Sequence, residues 1–120
     1  MRNHKTFGKE GELSAARFLK KKGYSILETN YRYERYEIDI IAETGSTIIF
    51  VEVKTAKDRT FGYPEERVDS VKQKKISIAA QAYIDQHHLE DYDYRFDVIS
   101  IIQNSQKREI THIEDAFWMA

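Results

Sequence analysis

The sequence contains no cysteine, which excludes a disulfide framework and a thiolate zinc site. Its one proline and five glycines stand singly, so no Gly- or Pro-rich linker divides the chain. Long apolar runs are also missing. Met1 to Gly11 is polar and charged where a signal peptide needs roughly 7 to 15 apolar residues, and no later run could span a bilayer. The expectation is a cytoplasmic protein with no membrane association. An excess of one charge is absent as well. The 19 basic and 20 acidic residues leave a formal net charge of -1, so bulk charge does not announce a nucleic-acid partner, which is bound largely by phosphate neutralisation.

What is present is core material. Hydrophobic residues make up 41% of 120 residues and include eight Tyr and six Phe, enough for a single domain over residues 1–120. Charge is uneven along the chain. Lys54 to Lys75 is mostly basic (Lys54, Lys57, Arg59, Arg67, Lys72, Lys74, Lys75), whereas Asp85 to Asp97 holds Arg95 alone among acids. On charge alone, both are read as ordinary solvated faces.

Periodicity predicts a helix from about Phe7 to Lys22, with Thr6 as its N-cap and Gly23 as its stop. A strand from Tyr24 to Asn30 follows, then a loop carrying Tyr31, Arg32, Tyr33, Arg35 and Tyr36. Glu37 to Glu43 and Thr47 to Lys54 are rich in Ile and Val and separated by Gly45-Ser46, which suits a two-residue type II′ hairpin. After a loop with Gly62 and Pro64, a second helix runs from Val68 or Asp69 to His87. Val68, Val71, Ile76, Ala79, Ala80, Tyr83 and Ile84 are its expected core residues. Arg95 to Ile102 and Glu109 to Ile113 form a last strand pair. The order αβββαββ predicts an α/β fold, a mixed sheet of about five strands flanked by helices.

The hairpin carries the chemistry. With Gly45 and Ser46 as the turn, facing positions sum to 91, so Asp39 meets Glu52 and Glu37 meets Lys54. Strand alternation then projects Asp39, Glu52 and Lys54 from one side, with facing Cβ atoms roughly 4.5 to 5.5 Å apart. The other side, Ile38, Ile40 and Ala42 with Ile49, Val51 and Val53, is wholly apolar and must face a core. Ile41 and Phe50 make the reactive side apolar near the turn, as if something covers half of it and leaves a notch. Two carboxylates in such a notch need a cation. Mg²⁺ fits, since it uses one or two carboxylates and keeps several waters, and Lys54 could orient the attacking water. On the first helix Gly8, Gly11, Glu12, Ala15 and Leu19 share a stripe, so Glu12 lies among small and apolar residues and could reach a metal through water. The two glycines suggest that another backbone, or a substrate, passes close by.

Asp39 followed by Glu52-Val53-Lys54 resembles the Asp then Glu-x-Lys signature of the restriction-endonuclease-like, PD-(D/E)xK nuclease superfamily. Around it stand Gly8, Gly11 and Glu12, Gly23-Tyr24, Asn30 and Arg32, Glu37-Ile38-Asp39, Phe50-Val51, Gly62 and Pro64, Val68 and Lys72, Arg95-Phe96-Asp97-Val98, and His112-Ile113 before Ala116-Phe117. Together these resemble the YraN-type family of small bacterial proteins, itself similar to Holliday-junction resolvases. The resemblance implies a restriction-endonuclease-like fold with Asp39, Glu52, Lys54 and Glu12 as catalytic residues. Asp39, Glu52, Val53 and Glu12 would serve the metal, which is Mg²⁺, with Mn²⁺ as substitute. It implies DNA, branched or single-stranded, as partner, a structure-selective endonuclease activity, and a homodimer. Ile38 stands where the superfamily signature has proline, and Tyr36 where family members more often have Gly.

Each reading has a plainer rival. Asp39, Glu52 and Lys54 could be one wet hairpin face with ion pairs of small worth, and the whole chain a non-catalytic nucleic-acid or protein-binding module. Lys57, Arg59, Lys72, Gln73 and Arg32 are the candidate nucleic-acid contacts, against solvated positions. The Tyr31–Tyr36 run could stack unpaired bases. Arg95 and Asp97 are read as a structural ion pair, the four scattered His as no zinc site, and Phe117 and Trp118 as packing a C-terminal tail.

Overall fold

A computed structural model describes residues 4–58 and 68–119. Helix α1 spans His4–Lys21 and begins before the expected Phe7, so Thr6 lies inside the helix and does not cap it. Beyond it Tyr24 N–H bonds Leu19 O and Gly23 N–H bonds Lys20 O, both at 3.0 Å, the paired closure expected at a glycine stop. The remaining elements are β1 (Ser25–Tyr33), β2 (Tyr36–Thr44), β3 (Thr47–Ala56), α2 (Ser70–His87), β4 (Asp93–Gln103) and β5 (Arg108–Phe117). The order αβββαββ is the expected one. The strands form a five-stranded mixed sheet in the order β1-β2-β3-β4-β5, parallel between β3 and β4 and antiparallel elsewhere. A parallel pair needs a long crossover, and α2 provides it.

Tyr31–Tyr36 is not a loop. Tyr31 to Tyr33 end β1, Tyr36 opens β2 opposite Tyr33, and Glu34 with φ 56° makes the turn. Tyrosine favours a half-buried pleat, and all three rings pack against the core; Tyr31 meets Tyr83 edge-on at 5.1 Å and donates its OH to Gln86 at 3.0 Å.

The two faces bury different sets. Toward α2 lie Ile41, Ile48, Phe50, Phe96 and Val98, packed on Ile76, Ala79, Ala80, Tyr83 and Ile84. Toward α1 lie Ile40, Ala42, Ile49, Val51, Ile99 and Ile101, packed on Ala15 and Leu19. Each of the larger buried side chains, Val, Leu, Ile or Phe, contributes about 2 kcal/mol of transfer free energy, which clamps the sheet from both sides. The helix α2 is therefore what covers the Ile41–Phe50 end of the reactive face.

Three expectations need correction. Ile38 packs with the α2-side cluster, not with Ile40 and Ala42, at the level where β2 has parted from β3. Val71 is 61% exposed: counting back three and four residues from buried Ile76 gives Gln73 and Lys72, so Val71 falls off the inward stripe. Phe117 is buried as expected, but Trp118 is 80% exposed.

One glycine is a spacing device. A Cβ on Gly11 would lie 2.1 Å from Thr55 Cγ2, so the missing side chain is what lets α1 seat on β3; the close neighbour is a side chain, not a backbone. Gly8 has nothing within 4 Å. No described helix is long and apolar enough to cross a membrane.

Candidate functional site

The β2–β3 hairpin turns at Gly45, whose φ of +58° is what the first central residue of a type II′ turn requires. The predicted register follows, with Thr44 opposite Thr47, Ile41 opposite Phe50 and Ile40 opposite Val51. There the ladder stops. Past Ile40, β2 stays paired with β1 through Ile38↔Tyr31 and Glu37↔Arg32, while β3 stays paired with β4 through Glu52↔Val98 and Lys54↔Ser100. The sheet forks at Asp39 and Glu52. Asp39 fills the opening: its Oδ2 accepts a 2.8 Å hydrogen bond from Val53 N–H, a carboxylate taking the bond that a strand carbonyl would otherwise take. On the other flank Asn30, opposite Asp39, adopts φ 53°, a conformation that asparagine tolerates better than most residues.

The fork floors a cavity of about 770 Å³ that receives Glu12, Arg35, Glu37, Asp39, Glu52, Lys72 and Lys75. Glu12 comes from α1 and Lys72 from α2, helices on opposite faces, so the gap between β2 and β3 is where the two sides meet. Burial, then the hydrogen bond and charge of Glu52, raise the Asp39 pKa from 3.8 to about 8 against the Val53 N–H bond. Glu52 is 6% exposed, and its buried Oε2 meets the Lys72 ammonium in an ion pair without an aligned hydrogen bond. Burial alone would lower the Lys72 pKa, but Glu52 beside it holds the ammonium above its ordinary range. Glu12 is also raised, by burial and then by Glu37, although a hydrogen bond from Asn30 favours its charged form.

A model of the uncharacterised protein family UPF0102 matches residues 11–101. The chain belongs to this family. It is the YraN-type family that the sequence resembles. A UPF0102 protein of Geotalea daltonii is 48% identical over 98% of this chain and 94% of that protein, and one of Christiangramia forsetii is 42% identical over 98% of both. One from Persephonella marina is 46% identical over 92% of this chain and 91% of that protein.

Within this UPF0102 member the predicted site residues have unequal fates. Asp39 and Glu52 come together and Glu12 joins their cavity. Lys54 is half-buried beside Ser100 of β4 and is not among the cavity-lining residues, whereas Lys72 of α2 lines the cavity and places an ammonium on Glu52. Glu37 does not face Lys54; past the fork it pairs with Arg32 at 3.3 Å, both partners exposed. Val53 contributes its N–H to Asp39. Gln73 donates to Val68 O at 2.7 Å, Lys57 is exposed at the end of β3, and Arg59 lies outside the described residues. Arg35 and Lys75 were missed as cavity cations. The signal for Lys72 was present, because the spacing back from Ile76 that excludes Val71 points Lys72 at the sheet.

Among the described residues no group of three or more His, Asp or Glu side chains is placed to hold a metal ion. Asp39 and Glu52 nevertheless form a two-carboxylate donor set of hard oxygens in one cavity, where a cation would relieve the repulsion that helps raise the Asp39 pKa. That set fits Mg²⁺, which keeps most of its waters. Glu12 is an electrostatic neighbour of the pair and lines the same cavity.

The UPF0102 fold holds a second polar cluster, and it is structural. Fully buried Asp97 accepts from Arg95 Nε and Nη2 at 2.9 Å and from Asp115 N at 3.0 Å, and pairs with His112 Nε2 at 2.7 Å. Burial alone would raise the Asp97 pKa, but these donors hold it below the ordinary range, and the Asp97 carboxylate raises that of Arg95. Arg95 also donates to Tyr24 OH at 2.7 Å, tying β4 to the segment after α1. None of these residues lines the cavity.

Proposed function

We propose that this protein is a divalent-metal-dependent phosphodiesterase acting on DNA, an endonuclease of the junction-resolvase type. The observation that carries the reading is the fork, where Asp39 and Glu52 converge in one cavity and burial beside Glu52 raises the Asp39 pKa. Mg²⁺ held by Asp39 and Glu52 would polarise a phosphodiester and lower the pKa of a bound water. The chain's own residues supply the rest. Lys75, Arg35 and Lys72 hold the flanking phosphates at the cavity rim, Glu12 orients solvent, and Lys54 is the ammonium of the Glu-x-Lys motif.

Charge supports a requirement for the metal. Glu12, Glu37, Asp39, Glu52 and Asp69 outnumber Arg35, Lys72 and Lys75 along the cavity, so a phosphodiester meets a repulsive surface until a cation is bound. The same surplus favours, as a second reading, a binding module that never cuts. The site of action would be the cytoplasm, and the working form a homodimer by analogy with resolvases.

The test is cleavage of four-way junction, flap and single-stranded DNA in Mg²⁺ or Mn²⁺, compared with EDTA. Wild type is expected to cut only with metal, and Glu52→Ala and Lys54→Ala to lose that activity. Metal-dependent binding without any cutting selects the second reading. If wild type and both variants behave alike, the nuclease reading fails.

A further inference from the structure

Lys72 is the feature of the cavity that the motif does not account for. It stands in the first turn of α2, past the Asp69 N-cap that accepts its backbone N–H at 2.9 Å, so its Cα is anchored. Its side chain lies on the inward stripe of the helix and ends on Glu52, 5% exposed in its side chain, while 54% of the Lys72 side chain stays open to solvent. A half-exposed, flexible ammonium thus covers a buried carboxylate oxygen that has no aligned hydrogen-bond donor.

An ammonium and a hydrated divalent ion answer the same need at such an oxygen, and the oxygen cannot serve both at full strength. Lysine leaves at low cost, because its charge is a compact ammonium on a four-carbon stem and water already reaches half of it. We propose that Lys72 is a resident counter-cation of the carboxylate pair: in the metal-free protein it occupies the cation position on Glu52, a divalent ion displaces it, and the released ammonium moves to the cavity rim. The inference rests on the metal-binding reading above and adds a competition which that reading does not require. It makes Lys72 a positioning residue acting through Glu52. It also explains why a pair of facing acids is tolerated without metal.

The experiment is a Mn²⁺ titration of the full-length protein by electron paramagnetic resonance, on wild type and on Lys72→Met, Lys72→Arg and Lys75→Met. Lys72→Met is expected to bind Mn²⁺ about threefold to fivefold more tightly, the loss of one partly screened ion pair. Lys72→Arg should stay near wild type, because it keeps a competing cation. Lys75→Met lines the same cavity and removes the same charge, so a much smaller effect there separates direct competition from general repulsion. In wild type, lysine side-chain NMR during Mg²⁺ addition should move Lys72 more than the other lysines, which tests the claim even if Lys72→Met folds poorly. Unchanged or weaker binding by Lys72→Met, an equal effect of Lys75→Met, or an unmoved Lys72 signal at saturating Mg²⁺ overturns the competition and leaves the nuclease reading standing. No Mn²⁺ binding by any form overturns both.

Discussion

Neutralising Asp39 is expected to stabilise the metal-free protein, although the residue belongs to the candidate active site. Burial, then Glu52, lifts its pKa from 3.8 to about 8. The folded state therefore keeps a proton that the unfolded chain releases, stability falls as pH rises from 3.8 through about 8, and the loss levels off above that. At pH 7 the group stands roughly three pH units above its unfolded value, at about 1.4 kcal/mol each, so the cost is at most about 4 kcal/mol. Asparagine keeps an oxygen for Val53 N–H and offers Glu52 an amide donor in place of a competing charge. Urea denaturation in EDTA should show Asp39→Asn gaining about 1 to 3 kcal/mol over wild type near neutral pH, with the gap widening from about pH 4 to about pH 8. An Asp39→Asn protein less stable than wild type, or a gap that does not grow with pH, refutes the like-charge account of the fork. Loss of metal binding by the same variant would show that the strain serves the site.

Other outcomes follow from single contacts. Gly11→Ala puts a Cβ 2.1 Å from Thr55 Cγ2 and is expected to lose about 1 to 3 kcal/mol in urea melts despite about 1 kcal/mol of helix gain. Gly8→Ala has nothing within 4 Å and should be neutral or stabilising; equal effects at both positions remove the spacing role of Gly11. Asp97→Asn leaves Arg95 only the half-exposed Glu114 carboxylate at 3.2 Å and should cost about 2 to 4 kcal/mol. Because Asp97 is held below its ordinary pKa, that stabilisation is complete above pH 3.8 and is lost as pH falls through the folded value, so the gap between wild type and variant should close in acid melts. Lys75→Ala should reduce the salt slope of DNA binding by about 1 in Ca²⁺, read by fluorescence anisotropy, and an unchanged slope takes Lys75 out of the phosphate interface.

The legible parts of the chain were those ruled by short-range chemistry. Gly45-Ser46 set a hairpin whose register held as far as Ile40↔Val51, and the runs of Ile and Val placed both strands. Gly23 ended α1, and the 3.6-residue stripe of α2 named its core from Ile76 to Ile84. The errors fall where a local pattern met a long-range one. Regular alternation put Ile38 with Ile40 and Glu37 with Lys54, but β2 is also bound to β1 and β3 to β4, and past Asp39 those outer pairings win.

From the order of its residues alone, the chain settles two faces of a hairpin, two amphipathic helices and an acid on each strand near the same level. Alternation and turn geometry act over a few residues, so no knowledge of the rest of the molecule is needed. What only the tertiary structure decides is the fork, the arrival of Glu12 at its cavity and the placing of Lys72 as a cation on Glu52. Each of these depends on how α1 and α2 seat on opposite faces of the sheet, and that seating is set by packing between segments distant in sequence, down to the missing Cβ of Gly11 against Thr55.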